Sequence, residues 1–277
     1  MSKKSHITSV GGQALIEGVM MQGPKGVATA VRKPDNSICV EYHKVKHLKD
    51  KCKFFGNKFG DKFMDFIMGI ATVLGFALAF LIFFFLPVFI FNRINAACDL
   101  RLTPWQGTIE GLMKIVIFVV YMVLVSQMKD IKRLFKYHGA EHKSIACYES
   151  GEELTVENVK KCTRFHPRCG TSFMFVMLIL SIVVVTLLSL VVPSELKQNT
   201  VLWMLIKLPL IPIIMGIGYE FIKYAGRHNN LFVKILSAPG LWMQRITTKE
   251  PDDDIIEVGI ASLKAVITDN IEDDEIK

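Results

Sequence analysis

The stretch FIMGIATVLGFALAFLIFFFLPVFIF, residues 66–91, decides the fold, because its 26 positions contain no charged residue. About 20 apolar residues in a helix are enough to cross the ~30 Å hydrocarbon core of a bilayer. A second uncharged run, TSFMFVMLILSIVVVTLLSLVVP, occupies residues 171–193. The mean hydropathy of the whole chain, +0.36, is also high for a soluble domain. Both runs therefore predict transmembrane helices.

Two further apolar runs are weaker, because each contains a basic residue. Residues 111–128 include Lys114, and residues 202–222 include Lys207 together with two prolines. We expect Lys207, near the outer end of its run, to snorkel to the membrane surface. Lys114 lies four residues after Glu110, so we expect these two to neutralise each other. The chain is thus predicted to be an α-helical integral membrane protein with about four transmembrane helices.

Basic residues predict the topology. Lys and Arg number twelve in residues 1–62, nine in 129–170 and seven in 223–277, but only three in the intervening loops 92–108 and 194–200. Basic loops stay on the cytoplasmic side. Both termini are therefore expected in the cytoplasm, with the protein in the bacterial inner (cytoplasmic) membrane as a multi-pass chain. The net charge of +7 then indicates attraction to anionic lipid headgroups, and no specific nucleic-acid partner is predicted.

Five segments follow from this reading. They are a β-rich N-terminal module (1–62), transmembrane helices 1 and 2 (63–128), a cytoplasmic loop (129–170), transmembrane helices 3 and 4 (171–222) and a cytoplasmic tail (223–277). The N-terminal segment, the central loop and the tail are predicted to form a small α+β cytoplasmic module.

Local sequence patterns predict the secondary structure of this module. VATAVRKPDNSICVEYHKV alternates around a Pro-Asp-Asn turn and predicts a β-hairpin. The central loop begins with a helical pattern that Gly139 should weaken, and Thr155 is a predicted N-cap. PDDDIIEVGIASLKAVI predicts an amphipathic helix that packs on the module. The glycines of residues 11–23 are interpreted as turn glycines, and Glu17 is the residue there that can reach into a site.

The sequence YHGAEHKSIACYE, residues 137–149, contains the candidate functional residues. His138 and His142 are four positions apart, so on a helix both imidazoles project from one face and can bind one metal ion. Glu141 completes an H-x-x-E-H pattern, in which the glutamate serves as general base in a metal-assisted hydrolysis. Zinc is the expected metal. The alternative is an ordinary polar helix beneath the lipid headgroups.

A metal site needs a third protein ligand. Glu149 is seven residues beyond His142, about 10 Å along an unbroken helix, and cannot join the same ion. CTRFHPRCG offers His166 and Cys169, residue types that suit zinc. Glu220 is a second possibility, since a carboxylate at the end of an apolar span needs a partner. The alternatives are an unligated cysteine and a Glu220 that pairs with a basic neighbour.

Five blocks of the chain are similar to a known family. GGQALIEGVMMQGP, YHGAEHKSIACYE, HPRCGTSF, YEFIKYAG and APGLWMQRITTKEPDDDIIEVGIASLKAV together resemble the YqhQ-like family of bacterial membrane proteins. That family is described as predicted metal-dependent enzymes, so the resemblance implies a metal site. The positions that it marks here are Glu17, His138, Glu141, His142, Glu149, His166, Arg168, Cys169 and Glu220.

Two functions remain open from the sequence. The first is a membrane-embedded metal-dependent hydrolase that acts at the cytoplasmic face on a membrane protein or a lipid headgroup. His138 and His142 would hold the metal, with Glu220 or His166 as a further ligand, and Glu141 would be the catalytic base. The second is a non-enzymatic scaffold or membrane-protein biogenesis factor. Its partners would be other membrane proteins, and its polar or metal cluster would be structural.

Overall fold

A computed structural model describes residues 7–44, 59–228 and 230–268 of the chain. Its strands are β1 (Gly11–Leu15), β2 (Gly18–Gly23), β3 (Gly26–Arg32) and β4 (Ile38–His43). Its α-helices are α1 (Phe59–Phe80), α2 (Leu86–Ala97), α3 (Gln106–Val125), α4 (Lys129–Glu149), α5 (Val156–Lys161), α6 (Gly170–Val191), α7 (Ser194–Gln198), α8 (Thr200–Lys207), α9 (Leu210–Arg227), α10 (Leu231–Thr247) and α11 (Asp253–Val266). A π-helical turn, Leu81–Phe85, joins α1 to α2, and a 3-10 turn, Thr103–Trp105, precedes α3.

The four strands form an antiparallel sheet in the order β1-β2-β3-β4. The predicted hairpin is confirmed as β3 and β4, whose connection is closed by a 2.9 Å hydrogen bond from the backbone N–H of Lys33 to the carbonyl of Ser37. Alternate side chains point to one face, because successive residues of a strand face opposite sides. On that face Val19 and Met21 are fully buried. The sheet therefore has one face in a hydrophobic core.

Helices α4, α5 and α11 complete that core with the sheet. The predicted tail helix is confirmed as α11, which begins with acidic residues that suit the positive end of the helix dipole. Ile255, Ile256 and Leu263 of α11 are fully buried, and the Ser262 hydroxyl donates to the carbonyl of Ala28 at 3.0 Å. The predicted N-cap is also confirmed, since the Thr155 side chain accepts from the N–H of Asn158.

The chain divides into two compact units. The first unit is built from Met1–Lys46, Met122–Val176 and Glu220–Lys277, and the second from His47–Tyr121 and Met177–Tyr219. The central loop, the tail and the described part of the N-terminal segment up to residue 44, which the sequence predicts as one module, thus lie in the first unit. Residues 59–62 of the predicted N-terminal segment belong instead to α1 in the second unit, and residues 1–6 and 45–58 lie outside the described residues.

The prediction of four apolar helices of membrane length is confirmed within the part of the chain that the structure describes. They are Phe66–Ala97, Thr103–Val125, Gly170–Val191 and Thr200–Ala225. The first contains the π-helical turn, and the last is divided into α8 and α9 at Leu208 and Pro209. Proline lacks an N–H and disfavours continuation of the preceding helix, which explains the division.

Helices α3 and α6 approach closely in the second unit. A β-carbon at Gly107 would lie 2.7 Å from the Cα of Thr186, and one at Gly111 would lie 2.3 Å from a side-chain carbon of Ile182. Small residues of this kind allow apolar helices to pack backbone against side chain.

The second unit also contains a buried charged pair that the sequence reading got wrong. Lys207 is 3% exposed, and its ammonium donates to Glu110 at 2.7 Å. Glu110 also accepts from the Trp203 indole at 3.0 Å and the Gln106 amide at 2.8 Å. Lys207 therefore does not snorkel, and Glu110 is paired with it instead of with Lys114. The Lys114 ammonium lies 5.3 Å from the centroid of a phenylalanine ring.

Helix α4 runs unbroken through Gly139, where the sequence predicts a helix weakened by glycine. A β-carbon at this position would overlap the carbonyl oxygen of Lys249, whose own N–H donates to the carbonyl of Phe135 at 2.9 Å.

We expect Gly139→Ala to destabilise the fold by about 1–3 kcal/mol, because the segment after α10 must move away. Thermal unfolding in detergent measures the change. Gly216→Ala, a helical site with no atom near the added carbon, is the control and should be neutral or stabilising. Equal unfolding temperatures for both variants would contradict the expectation.

Candidate metal centre

Helix α4 places two imidazoles one turn apart. The ring centroids of His138 and His142 are 4.4 Å apart, with an interplanar angle of 67°. His142 is buried and His138 is partly buried. Burial lowers the pKa of His142, although Cys169 opposes that effect. The neutral imidazole, which is the metal-binding form, is therefore favoured.

Backbone carbonyls orient both rings. The Nδ1 atom of His138 is 2.9 Å from the carbonyl oxygen of Thr247, and the Nδ1 atom of His142 is 2.6 Å from that of Arg164. A carbonyl can only accept, so each Nδ1 carries the proton and donates it. Each Nε2 consequently keeps a lone pair. Metal-binding histidines are normally held in this way, with the second ring nitrogen bonded to a carbonyl or carboxylate.

Cys169 supplies the third donor atom, in the residue that precedes α6. Its Sγ atom is 3.3 Å from the Nε2 of His138 and 3.1 Å from the hydroxyl of Thr171. Burial acts to raise the pKa of this thiol, but His142 and Thr171 outweigh burial and lower the pKa. A position at a helix N-terminus also favours the thiolate, which is the ligand form of cysteine.

These donor atoms suit one metal ion. The candidate donors of His138, His142 and Cys169 all lie within 4.8 Å of one another. Tetrahedral zinc binds nitrogen at about 2.0 Å and sulfur at about 2.3 Å, which implies roughly 3.5 Å between a bound nitrogen and a bound sulfur. The observed 3.3 Å from sulfur to the His138 nitrogen is close to that value. Among the described residues this is the one such group of three.

The donor atoms line a cavity of about 250 Å³, together with residues of the N-terminal segment. Glu141 also lines it and is 5% exposed. Burial raises the pKa of Glu141 to about 7, although His138 and the backbone N–H of Gly12 oppose the shift. A carboxyl group with this pKa can both accept and return a proton near neutral pH.

Gly12 allows the sheet to approach Glu141. A β-carbon at this position would lie 2.9 Å from the Cγ and Oε1 atoms of Glu141 and 2.8 Å from the sulfur of Met21. Gly12 lies within β1, so the interpretation of these glycines as turn glycines is wrong at this position. Its lack of a side chain leaves room for the carboxyl group.

Three other predicted residues form a separate network beside the donor atoms. Arg168 donates to Glu149 and to the carbonyl of Thr8, whose N–H donates to Glu149 at 2.9 Å. The Nδ1 atom of His166 accepts from the N–H of Arg168 at 3.3 Å, and its Nε2 is 3.8 Å from Glu149. The His166 ring lies 5.7 Å from that of His142 but is not in the donor group. This network ties the N-terminal segment to the end of α4.

The two remaining predicted residues lie elsewhere. Glu17, with a φ of 59°, forms an ion pair with Arg133 and accepts from the Tyr137 hydroxyl at 3.1 Å. The hydrogen bond from Arg133 holds its pKa below the ordinary value. Glu220 is exposed on α9 and is not in the donor group. The third donor that the structure offers is therefore Cys169, not Glu220 or His166.

Sequence reasoning missed the groups that hold these residues in place. The carbonyls of Thr247 and Arg164 leave no sequence signal, because every residue has a carbonyl. Gln244 was also missed. It is fully buried, accepts from the N–H of His166 at 2.8 Å and donates to its carbonyl at 2.7 Å. A glutamine in the amphipathic stretch before the tail helix was the available signal.

The raised pKa of Glu141 predicts a pH dependence of stability in metal-free protein. A carboxyl group whose pKa is higher in the folded than in the unfolded state contributes its full stabilisation at pH values below the unfolded-state pKa. It loses that contribution as pH rises towards 7. Glu141→Gln removes the titration, so its unfolding temperature should rise relative to the parent between pH 5 and pH 8.

Glu149→Gln is the matched control, with the opposite sign. Burial raises the pKa of Glu149, but His166, Arg168 and the N–H of Thr8 outweigh burial and lower it. Its ionised form therefore stabilises the fold above the unfolded pKa, so this variant should lie below the parent by a nearly constant margin between pH 5 and pH 8, and the margin should shrink only at lower pH. Thermal unfolding of chelator-treated protein measures both trends. If the unfolding temperatures of the two variants, relative to the parent, change with pH in the same way, the assigned directions of the two pKa shifts are contradicted.

The fold and the site define a class of protein. Its described residues form four apolar helices of membrane length and a His-His-Cys cluster in an α+β unit. Residues 19–269 match the family described as "Protein of unknown function (DUF1385)", and the chain belongs to that family. It is 31% identical to "Uncharacterized protein YqhQ" of Bacillus subtilis (strain 168), over 96% of this chain and 95% of that protein. The YqhQ-like resemblance is thus confirmed. No solved structure matches the chain.

Proposed function

We propose that this protein is a metal-dependent hydrolase embedded in the bacterial cytoplasmic membrane, with its α+β unit on the cytoplasmic side. Four helices of membrane length and the distribution of basic residues support the location. The observation that supports the metal most directly is the orientation of the two imidazoles. Both Nδ1 atoms face carbonyl oxygens, so that both Nε2 atoms are available beside the thiol of Cys169.

The number of donors favours a catalytic site. Structural zinc sites use four protein ligands, whereas catalytic sites use three and keep one position for water or substrate. His138, His142 and Cys169 provide three, and they face a cavity of about 250 Å³. A bound zinc ion would supply a Lewis acid there. The three residues would hold the ion, and the carbonyls of Thr247 and Arg164 keep the rings oriented.

Glu141 is the proposed general base. Its carboxyl group lies in the wall of the same cavity, and the N–H of Gly12 holds one side of it. With a pKa of about 7, it can take a proton from water as water attacks, and later return that proton to the leaving group. Hydrolysis of a membrane-protein segment or of a lipid headgroup is the reaction class that this arrangement supports.

A structural cluster is the second candidate, and one observation favours it. The donors come from two separate parts of the chain, α4 and the residue before α6, so a bound ion would fasten these parts together. In that case the protein would be a scaffold or a membrane-protein biogenesis factor, and Glu141 would have no chemical role.

The test is complementation of a deletion strain with Glu141→Gln, combined with metal analysis of the purified variant. A hydrolase should keep its metal and lose function, because the amide cannot accept the proton. Glu17→Gln is the control, since Glu17 pairs with Arg133 and does not belong to the donor group. It should complement normally. Full function of Glu141→Gln with metal bound would reject the hydrolase in favour of the structural cluster.

A further inference from the structure

Helix α10 has two faces, and the first is buried in the α+β unit. Val233, Met243 and Gln244 are at most 5% exposed. Gly240 packs so closely on α6 that a β-carbon there would lie 2.5 Å from the Cα of Ser172. This face also contacts the segment before α6, through the bonds from Gln244 to the backbone of His166.

The opposite face is apolar and exposed. Leu231, Ile235 and Trp242 are 72%, 61% and 55% exposed, and their spacing places them on one side of the helix. Phe232, 58% exposed, borders the same stripe. Large apolar side chains on the outside of a helix whose other side is already packed must be covered by another apolar phase.

Chain position and charge identify what covers this stripe. The α10 helix begins six residues after Ala225, the last residue of a helix of membrane length. Its buried Ser237 and Gln244 make it too polar to cross the bilayer itself. Exposed Lys234 and Arg245 lie along one margin of the stripe. An amphipathic helix with basic residues at the margin of its apolar face is typical of helices that lie in the interface of anionic membranes.

We propose that α10 lies in the membrane plane, with Leu231, Ile235 and Trp242 inserted at the boundary between headgroups and acyl chains. This inference rests on the membrane location in the proposed function but not on the metal or on hydrolysis. Since the C-terminal turn of α10 provides the Thr247 carbonyl that orients His138, the candidate metal centre is held at headgroup level. Joined to the proposed hydrolytic function, on which only this last step rests, the position of α10 limits the substrate to a bond at the membrane surface, in a lipid headgroup or a juxtamembrane segment.

The experiment measures the depth of Trp242 by fluorescence quenching. The full chain and Trp242→Phe are reconstituted into vesicles of phosphatidylglycerol and phosphatidylcholine, and the difference between their emissions reports Trp242. Bromines near the headgroup end of the acyl chains should reduce this difference about twofold, and deep bromines should reduce it less, because interfacial helices insert by ~5–10 Å. Aqueous iodide should have little effect.

Val40→Trp is the matched control, placed on the exposed strand β4 of the same unit. The added indole should be quenched by iodide and not by brominated lipid. If Trp242 behaves like this control, or resists both quenchers because a second copy or another protein covers it, the inference is overturned. Trp105, 63% exposed at the start of an apolar helix, reports insertion of the apolar helices, whereas Trp203 is fully buried. Quenching of Trp105 by lipid distinguishes a failure of the α10 inference from a failure of the membrane location.

Discussion

Purified protein is expected to contain about one zinc ion per chain, and His138→Ala and His142→Ala are each expected to lose it. Removal of a partner that only orients a ligand usually costs 10–100-fold in metal affinity, so removal of a ligand should cost on the order of 100-fold or more. Cys169→Ala should have the same effect, because its sulfur lies 3.3 Å from the Nε2 of His138. Native mass spectrometry and elemental analysis measure the metal content.

His166→Ala is the matched control for these variants. Its ring lies 5.7 Å from that of His142, yet its nitrogens face Arg168 and Glu149, outside the donor group. The control should therefore retain metal. If it loses metal while Cys169→Ala keeps it, the ligand set is His166 with the two α4 histidines. Folded parent protein without any metal would contradict the proposed centre altogether.

Loss of the buried carboxylate should strongly destabilise the second unit. Glu110→Ala leaves the ammonium of Lys207 without a counter-charge at 3% exposure, and it also removes the acceptor of the Trp203 indole. Breaking a buried ion pair by removal of one partner costs about 3–5 kcal/mol. Unfolding of the helical signal in detergent, followed by circular dichroism, measures the loss.

The double variant Glu110→Gln with Lys207→Met tests whether the unpaired charge of Lys207 causes the loss of stability. Glutamine can still accept from the Trp203 indole, and methionine fills the space of the lysine stem without a charge. This pair should recover more than half of the loss, because replacement of a whole buried pair by neutral groups is often close to neutral. Arg93→Met is the control, since its guanidinium lies over the ring of Phe89 and does not contact Glu110. A double variant as unstable as Glu110→Ala would show that charge is not the cause.

Features that depend on local pattern were predictable from the sequence. The four apolar helices follow from length and composition, and the β3–β4 hairpin follows from alternation around a turn. The spacing of His138 and His142 predicted that their rings meet on one face, because both lie on one helix. The Thr155 N-cap is local in the same sense, since its bond reaches three residues along the chain.

Features that depend on tertiary contacts were not predictable. The sequence favoured Glu220 or His166 as the further ligand and left Cys169 among the other candidates, and only the chain path before α6 places the thiol of Cys169 against His138. Lys207 was expected to reach water, yet Glu110, 97 residues away in the chain, holds it inside. The weakening expected at Gly139 assumed a free helix, whereas the carbonyl of Lys249 occupies the space where a side chain would be.

The origin of the α+β unit from three distant stretches of chain has a consequence for biosynthesis. The carbonyl that orients His138 belongs to a residue 109 positions later. At a translation rate of about 5–20 residues per second, the ribosome needs roughly 5–20 s to reach it after His138 is made. During that interval one pair of apolar helices, Gly170–Val191 and Thr200–Ala225, is made between the nascent histidines and the residue that orients His138. Tight ion binding therefore has to follow the synthesis of α10, and a chain that is cut short before α10 should bind the ion about 10–100-fold more weakly.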